Sequence, residues 1–146
     1  MESAKNKYTE RYNINRGYKK LIVWQDSIKL YKLSCEILLN DKSFELKKII
    51  SNSLDAVHSI CRNIAEGYSR RSIKEYLKFL NISLASCSEF HTCYYSFFVS
   101  GQITNIEFEN LDTLHFKLEN GLLALITSLQ KKQKNGDWND SFISGN

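Results

Sequence analysis

Four apolar stripes at three- and four-residue spacing, joined by short polar connections in a chain without proline, predict an all-α protein, an up-down-up-down antiparallel four-helix bundle. With 146 residues and 42% hydrophobic content, the chain has the size and apolar mass of one domain with its own core. The pattern divides into a basic, poorly ordered N-terminal arm over 1–20, the bundle over 21–131 and a C-terminal tail over 132–146.

Between Val23 and Leu39, Trp24, Ile28, Tyr31, Cys35 and Leu38 mark one helical face, the first helix. A turn cluster at 40–43 interrupts it. The stripe resumes from Glu45 through Leu46, Ile50, Leu54, Val57, Cys61 and Ile64 to about Glu66. Gly67 is expected to stop this second helix, since glycine takes the left-handed conformation past a helix end without steric cost. Ser72 and Glu75 have the spacing of a capping box, so the third helix starts there and runs through Tyr76, Leu80, Leu84, Cys87, Phe90, Tyr94 and Phe97. The fourth begins near Asn105 with the most regular stripe, Phe108, Leu111, His115, Leu118, Leu122, Leu125 and Leu129. Helix three also carries Phe79, Ile82, Phe97, Phe98 and Val99 beside its main stripe. One bundle core does not cover so much apolar surface: either the bundle is unusually fat or a second face packs on another copy, and self-association is the expectation.

The net charge of +4 sits in the arm: residues 1–20 hold six basic residues (Lys5, Lys7, Arg11, Arg16, Lys19, Lys20) against Glu2 and Glu10, and the remainder is balanced. Such an arm suits either nucleic acid or a solvated tail. No apolar run approaches the roughly 20 residues that cross a bilayer, and the first twenty residues hold no apolar signal segment, so the expected location is the cytoplasm, without a membrane partner. Cys35, Cys61, Cys87 and Cys93 lie in helical stripes without a CxxC pair, as expected of reduced thiols.

Catalytic chemistry finds little support. Asp55 with His58 and Asp112 with His115 echo the Glu-x-x-His pairs of dimetal bundles, and Glu89 falls at a similar depth. The carboxylate set stays incomplete, because helix one offers only Asp26 and Lys29 near that level. A metal-binding bundle enzyme is therefore the remote alternative, and the expectation is no metal, no cofactor and no catalytic residue. Cysteine and histidine neighbours in "SEFHTCYY", and Ser59 after His58, lack a third group to orient a base. No glycine-rich loop is present to cradle a nucleotide.

The junction "CRNIAEGYSRRS" at 61–72 gathers Arg62, Arg70 and Arg71, with Lys74 and Lys78 following and only Glu66 and Glu75 to offset them. Arginines near a helix N-terminus can hold phosphates, and Lys19 and Lys20 extend the basic set. The alternative is a solvated loop. Asn63 and Glu66 are expected to fix the junction angle by hydrogen bonds to Ser83 or Ser86, leaving Arg70 and Arg71 pointing outward.

"NIAEGYSR" at 63–70, then Lys74, Glu75, "FL" at 79–80, "IS" at 82–83 and Ser86 with Glu89, resembles the motif of the 23S rRNA intervening-sequence protein family. "YKKLIVWQDSIKL" at 18–30, centred on Trp24, is similar to that family's first-helix motif, and the likeness covers roughly 18–127. The resemblance implies a small bacterial up-down bundle without enzymatic activity that assembles into a homo-oligomeric ring, typically a pentamer. More distantly, the chain resembles the accessory variability protein that works beside the reverse transcriptase of diversity-generating retroelements. That likeness implies RNA or DNA, or a protein such as a reverse transcriptase, as partner. Two positions depart from the family pattern: Cys61 stands where a proline is usual, and Asp55 where an arginine is common. The second change removes about ten charge units from a five-membered ring. The expected function is a non-catalytic, self-assembling nucleic-acid-binding accessory or scaffold, the alternative a structural oligomer that binds protein only.

Overall fold

Four long helices, α1 (Ile22–Leu38), α2 (Lys47–Tyr68), α3 (Ile73–Val99) and α4 (Asn105–Asn135), build the computed structural model, which describes residues 11–70 and 72–138. Short 3-10 segments at Ile14–Lys20 and Phe44–Leu46 precede α1 and α2. Each helix packs on the next and α4 closes on α1, while diagonal pairs do not meet among the described residues. With such short connections, this is the antiparallel bundle that the stripes predict. Its axis is filled by Leu30, Leu38, Val57, Ile60, Ile64, Leu80, Phe90, Tyr94, Leu111, Leu118 and Leu122, all fully buried.

The helix ends follow local chemistry. Thr104 and Glu107 form a reciprocal capping box at the start of α4 (3.1 and 2.9 Å). At α3 the Ser72 hydroxyl accepts from the Glu75 N–H at 3.4 Å, while the Glu75 carboxylate stands 4.0 Å from Arg70. Helix α4 ends at Asn135, four residues beyond the expected bundle boundary at 131, where Gly136 adopts φ 71°. The Asn135-Gly136 pair is a helix stop that the apolar stripe, ending at Leu129, does not reveal. Beyond it, Trp138 lies over Tyr76 with ring centroids 6.3 Å apart.

Gly67 plays a different part from the one expected. Helix α2 runs through it to Tyr68, and Ser69 closes the helix in the right-handed region, so Gly67 is not the stop. A Cβ at Gly67 would lie 2.8 Å from the Cβ of Phe79 and 3.2 Å from the Tyr76 carbonyl oxygen. The glycine is required because α2 and α3 touch there. Hydroxyls continue the same seam. Ser83 donates to the Ile60 carbonyl oxygen at 3.0 Å, and Ser59 and Ser86 share a 2.9 Å bond. Asn63 Nδ2 donates to the carbonyl oxygen and the hydroxyl of Ser59 (2.8 and 3.0 Å). Asn63 therefore reaches Ser86 through Ser59 rather than directly, and Glu66 turns away from Ser83 and Ser86 towards Arg70.

The second half of the expected arm is structured. Residues Ile14–Lys20 dock on α1 and α2. Tyr18 packs on Trp24 (centroids 5.2 Å apart), and Gly17 lies against the Tyr68 ring so closely that a Cβ would come within 2.7 Å of it. Residues 1–10 of the arm and 139–146 of the tail lie outside the described residues. The apolar excess of α3 is partly absorbed. Phe97 is buried and Phe98 stacks on Phe108 at 4.3 Å, whereas Ile82 and Val99 stay exposed.

Replacing Gly67 by alanine should destabilise the protein by about 1–3 kcal/mol in urea unfolding, because overpacking at the seam outweighs the roughly 1 kcal/mol that alanine gains over glycine in a helix. A variant more stable than the parent would show that α2 and α3 do not meet there.

Candidate nucleic-acid interface

Ion pairing separates the basic residues of the junction into two groups. Arg62 Nη1 lies 3.3 Å from the Asp55 carboxylate and 2.9 Å from His58 Nδ1. Arg70 donates to Glu66 at 2.8 Å, stands 4.0 Å from Glu75, and places its guanidinium 4.9 Å from the centre of the Phe79 ring. Such exposed pairs contribute only about 0.2–1 kcal/mol each. They nonetheless occupy donors that a phosphate would need. Arg70 thus folds back onto its own junction instead of pointing outward, and Arg71 lies outside the described residues.

Lys74 and Lys78 form the other group. Both are exposed, and among the described residues neither has an ion-pair partner. They stand one helical turn apart beside a groove of about 600 Å³ between α3 and α4, floored by Leu77, Ile82 and Ala85 and joined by the amides of Asn81, Gln130 and Gln133. Because α4 extends to Asn135, Lys131, Lys132 and Lys134 reach this end of the bundle as helical residues. They fall at the boundary of the expected tail, and the run "QKKQKNG" is the signal that would have placed them on a helix. Lys19 offers its carbonyl oxygen to Gln25 at 2.8 Å, and Lys20 lies 5.1 Å from the Tyr12 ring centre. Trp24, Asn63, Glu66, Gly67 and Ser86 contribute to packing and hydrogen bonding, while Glu89 is exposed on the outer face of α3.

Among the residues weighed for metal or nucleophilic chemistry, Asp112 and His115 come together on the Tyr94 hydroxyl. His58 packs on Tyr31 (4.9 Å between centroids), and Asp26 is buried and paired with Lys117 at 3.3 Å, tying α1 to α4. Among the described residues no three histidine, cysteine, aspartate or glutamate side chains gather as a metal site. All four cysteines are free thiols. Burial pushes the Cys87 thiol up to about 12, with Glu119 adding to the effect, and burial likewise raises Cys61. Neither thiol has the lowered pKa of a nucleophile.

A polar cluster in the core joins α3 to α4. Tyr94 Oη lies 2.6 Å from Asp112 Oδ1 and 2.9 Å from His115 Nδ1. A hydroxyl has one proton to donate. If Tyr94 gives it to the carboxylate, its oxygen accepts from Nδ1–H, and Nε2, which has no partner, is the bare acceptor rather than a buried N–H. Burial holds the His115 imidazole down at about 4, helped by His91 and opposed by Asp112. Burial raises the Glu119 carboxyl, which lies 3.5 Å from Nδ1.

A histidine with a depressed folded-state pKa gives stability that is complete above its unfolded value, near 6.5, and is lost as pH falls towards 4. From His115 alone, stability should drop by about 2 kcal/mol between about pH 7 and pH 5. The raised Glu119 works in the opposite direction. In urea unfolding across this window, His115→Gln should flatten the fall. An equal slope in parent and variant would remove His115 as its source.

The 23S rRNA-intervening sequence protein family model matches residues 19–124, well over half of the chain. No curated protein matches the chain. The matched segment starts just before α1, contains the whole α2–α3 seam, and ends within α4, short of its last lysines. With this match and the four-helix architecture, the chain belongs to the 23S rRNA-intervening sequence protein family.

Proposed function

We propose that this chain is a non-catalytic, self-assembling bundle that binds RNA or DNA as an accessory or scaffold, through the end where α3 begins and α4 finishes. One observation carries the reading: Lys74, Lys78, Lys131, Lys132 and Lys134 collect at that end without an ion pair among the described residues. No carboxylate occurs in α4 after Glu119, and the next in the chain is Asp137. Unpaired lysines beside one another repel, and neutralising phosphates with release of their counterions relieves that repulsion.

Self-assembly is supported by the apolar side chains that a single bundle leaves in water. Phe44 is 82% exposed, Ile106 73% and Leu39 67%, and the family resemblance suggests a ring of five. Repetition around a ring would multiply a small basic patch into an extended one. The non-catalytic reading rests on the inert setting of the nucleophile candidates. The Ser59 hydroxyl is engaged by Ser86 and Asn63, and the buried thiols are held protonated. The rival, an oligomer that binds only protein, predicts no affinity for phosphates.

Fluorescence anisotropy with labelled hairpin RNA and duplex DNA across a salt series separates the two. With roughly four phosphate contacts per site, affinity should fall about 100-fold for a fourfold rise in salt. An absence of binding at low salt would favour the protein-binding oligomer.

A further inference from the structure

We infer that the nucleic-acid contact is the groove between α3 and α4, where a phosphodiester strand meets Lys74 and Lys78 on one wall and the lysines that end α4 beside the other, and that Arg62 and Arg70 take no direct part. This rests on the nucleic-acid reading above and specifies its site.

Lys74 and Lys78 stand one turn, about 6 Å, apart along α3, close enough to engage phosphates of the same strand. Across the groove the wall of α4 is Gln130 and Gln133; Lys134, four residues after Gln130, continues that face towards the helix end, and Lys131 stands beside it on the exposed side of α4. Side-chain amides from both walls, Asn81, Gln130 and Gln133, line the groove beside Lys74 and Lys78. Each amide donates and accepts, as sugar hydroxyls and phosphate oxygens require. Among the described residues no aromatic ring lines the groove, and backbone contact is the mode that its lysines and amides support. The contrast with Arg70, held by Glu66, Glu75 and the Phe79 ring, is one of availability. Arg70 must give up two carboxylates to meet a phosphate, and the lysines give up none. Gln130, Gln133, Lys131, Lys132 and Lys134 lie beyond the residues that the family model matches.

The test uses the full chain, with hairpin RNA and a DNA hairpin of the same sequence as probes, in anisotropy at several salt concentrations. Lys74→Gln with Lys78→Gln should weaken binding at least about tenfold and reduce the salt slope by about two, one for each lysine that no longer meets a phosphate. Lys131→Gln with Lys134→Gln should do the same, while Arg70→Gln changes affinity by less than about threefold. These side chains are exposed, and an unchanged thermal midpoint will separate weakened binding from impaired folding. Gln130→Leu with Gln133→Leu reports on the sugar. If the amides read the ribose hydroxyl, RNA loses affinity and DNA does not; if they hold phosphate oxygens alone, both fall together. Should the parent bind while both lysine pairs leave affinity intact, the groove is overturned and the broader reading stands. Should the parent bind neither probe at low salt, both fall.

Discussion

The contact between α2 and α3 at Gly67 is the constraint on which the arrangement of this bundle depends. A missing side chain lets the two helices touch at their shared end, and the Ser59–Ser86 and Ser83–Ile60 bonds hold the register upward from that point. Asn63 reinforces the seam from within its own helix. Every polar group used here is small, so the helices pack tightly while their hydroxyls remain bonded. The same contact positions Tyr68, which covers Gly17 and meets Tyr76 edge-on at 5.9 Å. Through Tyr68 the seam also anchors the 3-10 segment that precedes α1.

From this end the basic surface is built. The seam sets where α3 starts, and hence where Lys74 and Lys78 stand, while Gly136 sets how far α4 carries its lysines alongside them. Arg62 and Arg70 serve the fold: Arg62 pairs with Asp55 within α2, and Arg70 links the last turn of α2 to the first of α3 through Glu66 and Glu75. Charge near a helix junction is thus divided between groups that close the structure and groups without an ion pair among the described residues. Sequence proximity does not distinguish them, and the positions of the carboxylates do.

Helix existence and order were legible because the stripes are long and regular, and the resemblance of "NIAEGYSR" to a family motif agrees with the match over 19–124. Helix ends were less so. Gly67 reads as a stop because glycine usually marks one, and only the proximity of Phe79, twelve residues on, gives its actual role. Leu129 closes the apolar stripe, yet backbone hydrogen bonding carries α4 to Asn135 with no core left to cover. The docking of Ile14–Lys20 depends on Gly17 meeting Tyr68, a long-range contact without a local pattern. Pairing of Arg62 with Asp55 was within reach of the sequence, since residues seven apart share a helix face.

Whether copies of this bundle assemble and carry nucleic acid together is read most simply by sedimentation velocity of the protein, alone and mixed with labelled hairpin RNA or DNA. The protein alone should sediment as a discrete species of several chains, five if the family resemblance extends to assembly. The label should move with that species at low salt and leave it as salt rises. A protein that stays monomeric at all concentrations, with the label sedimenting freely beside it, would contradict both assembly and binding.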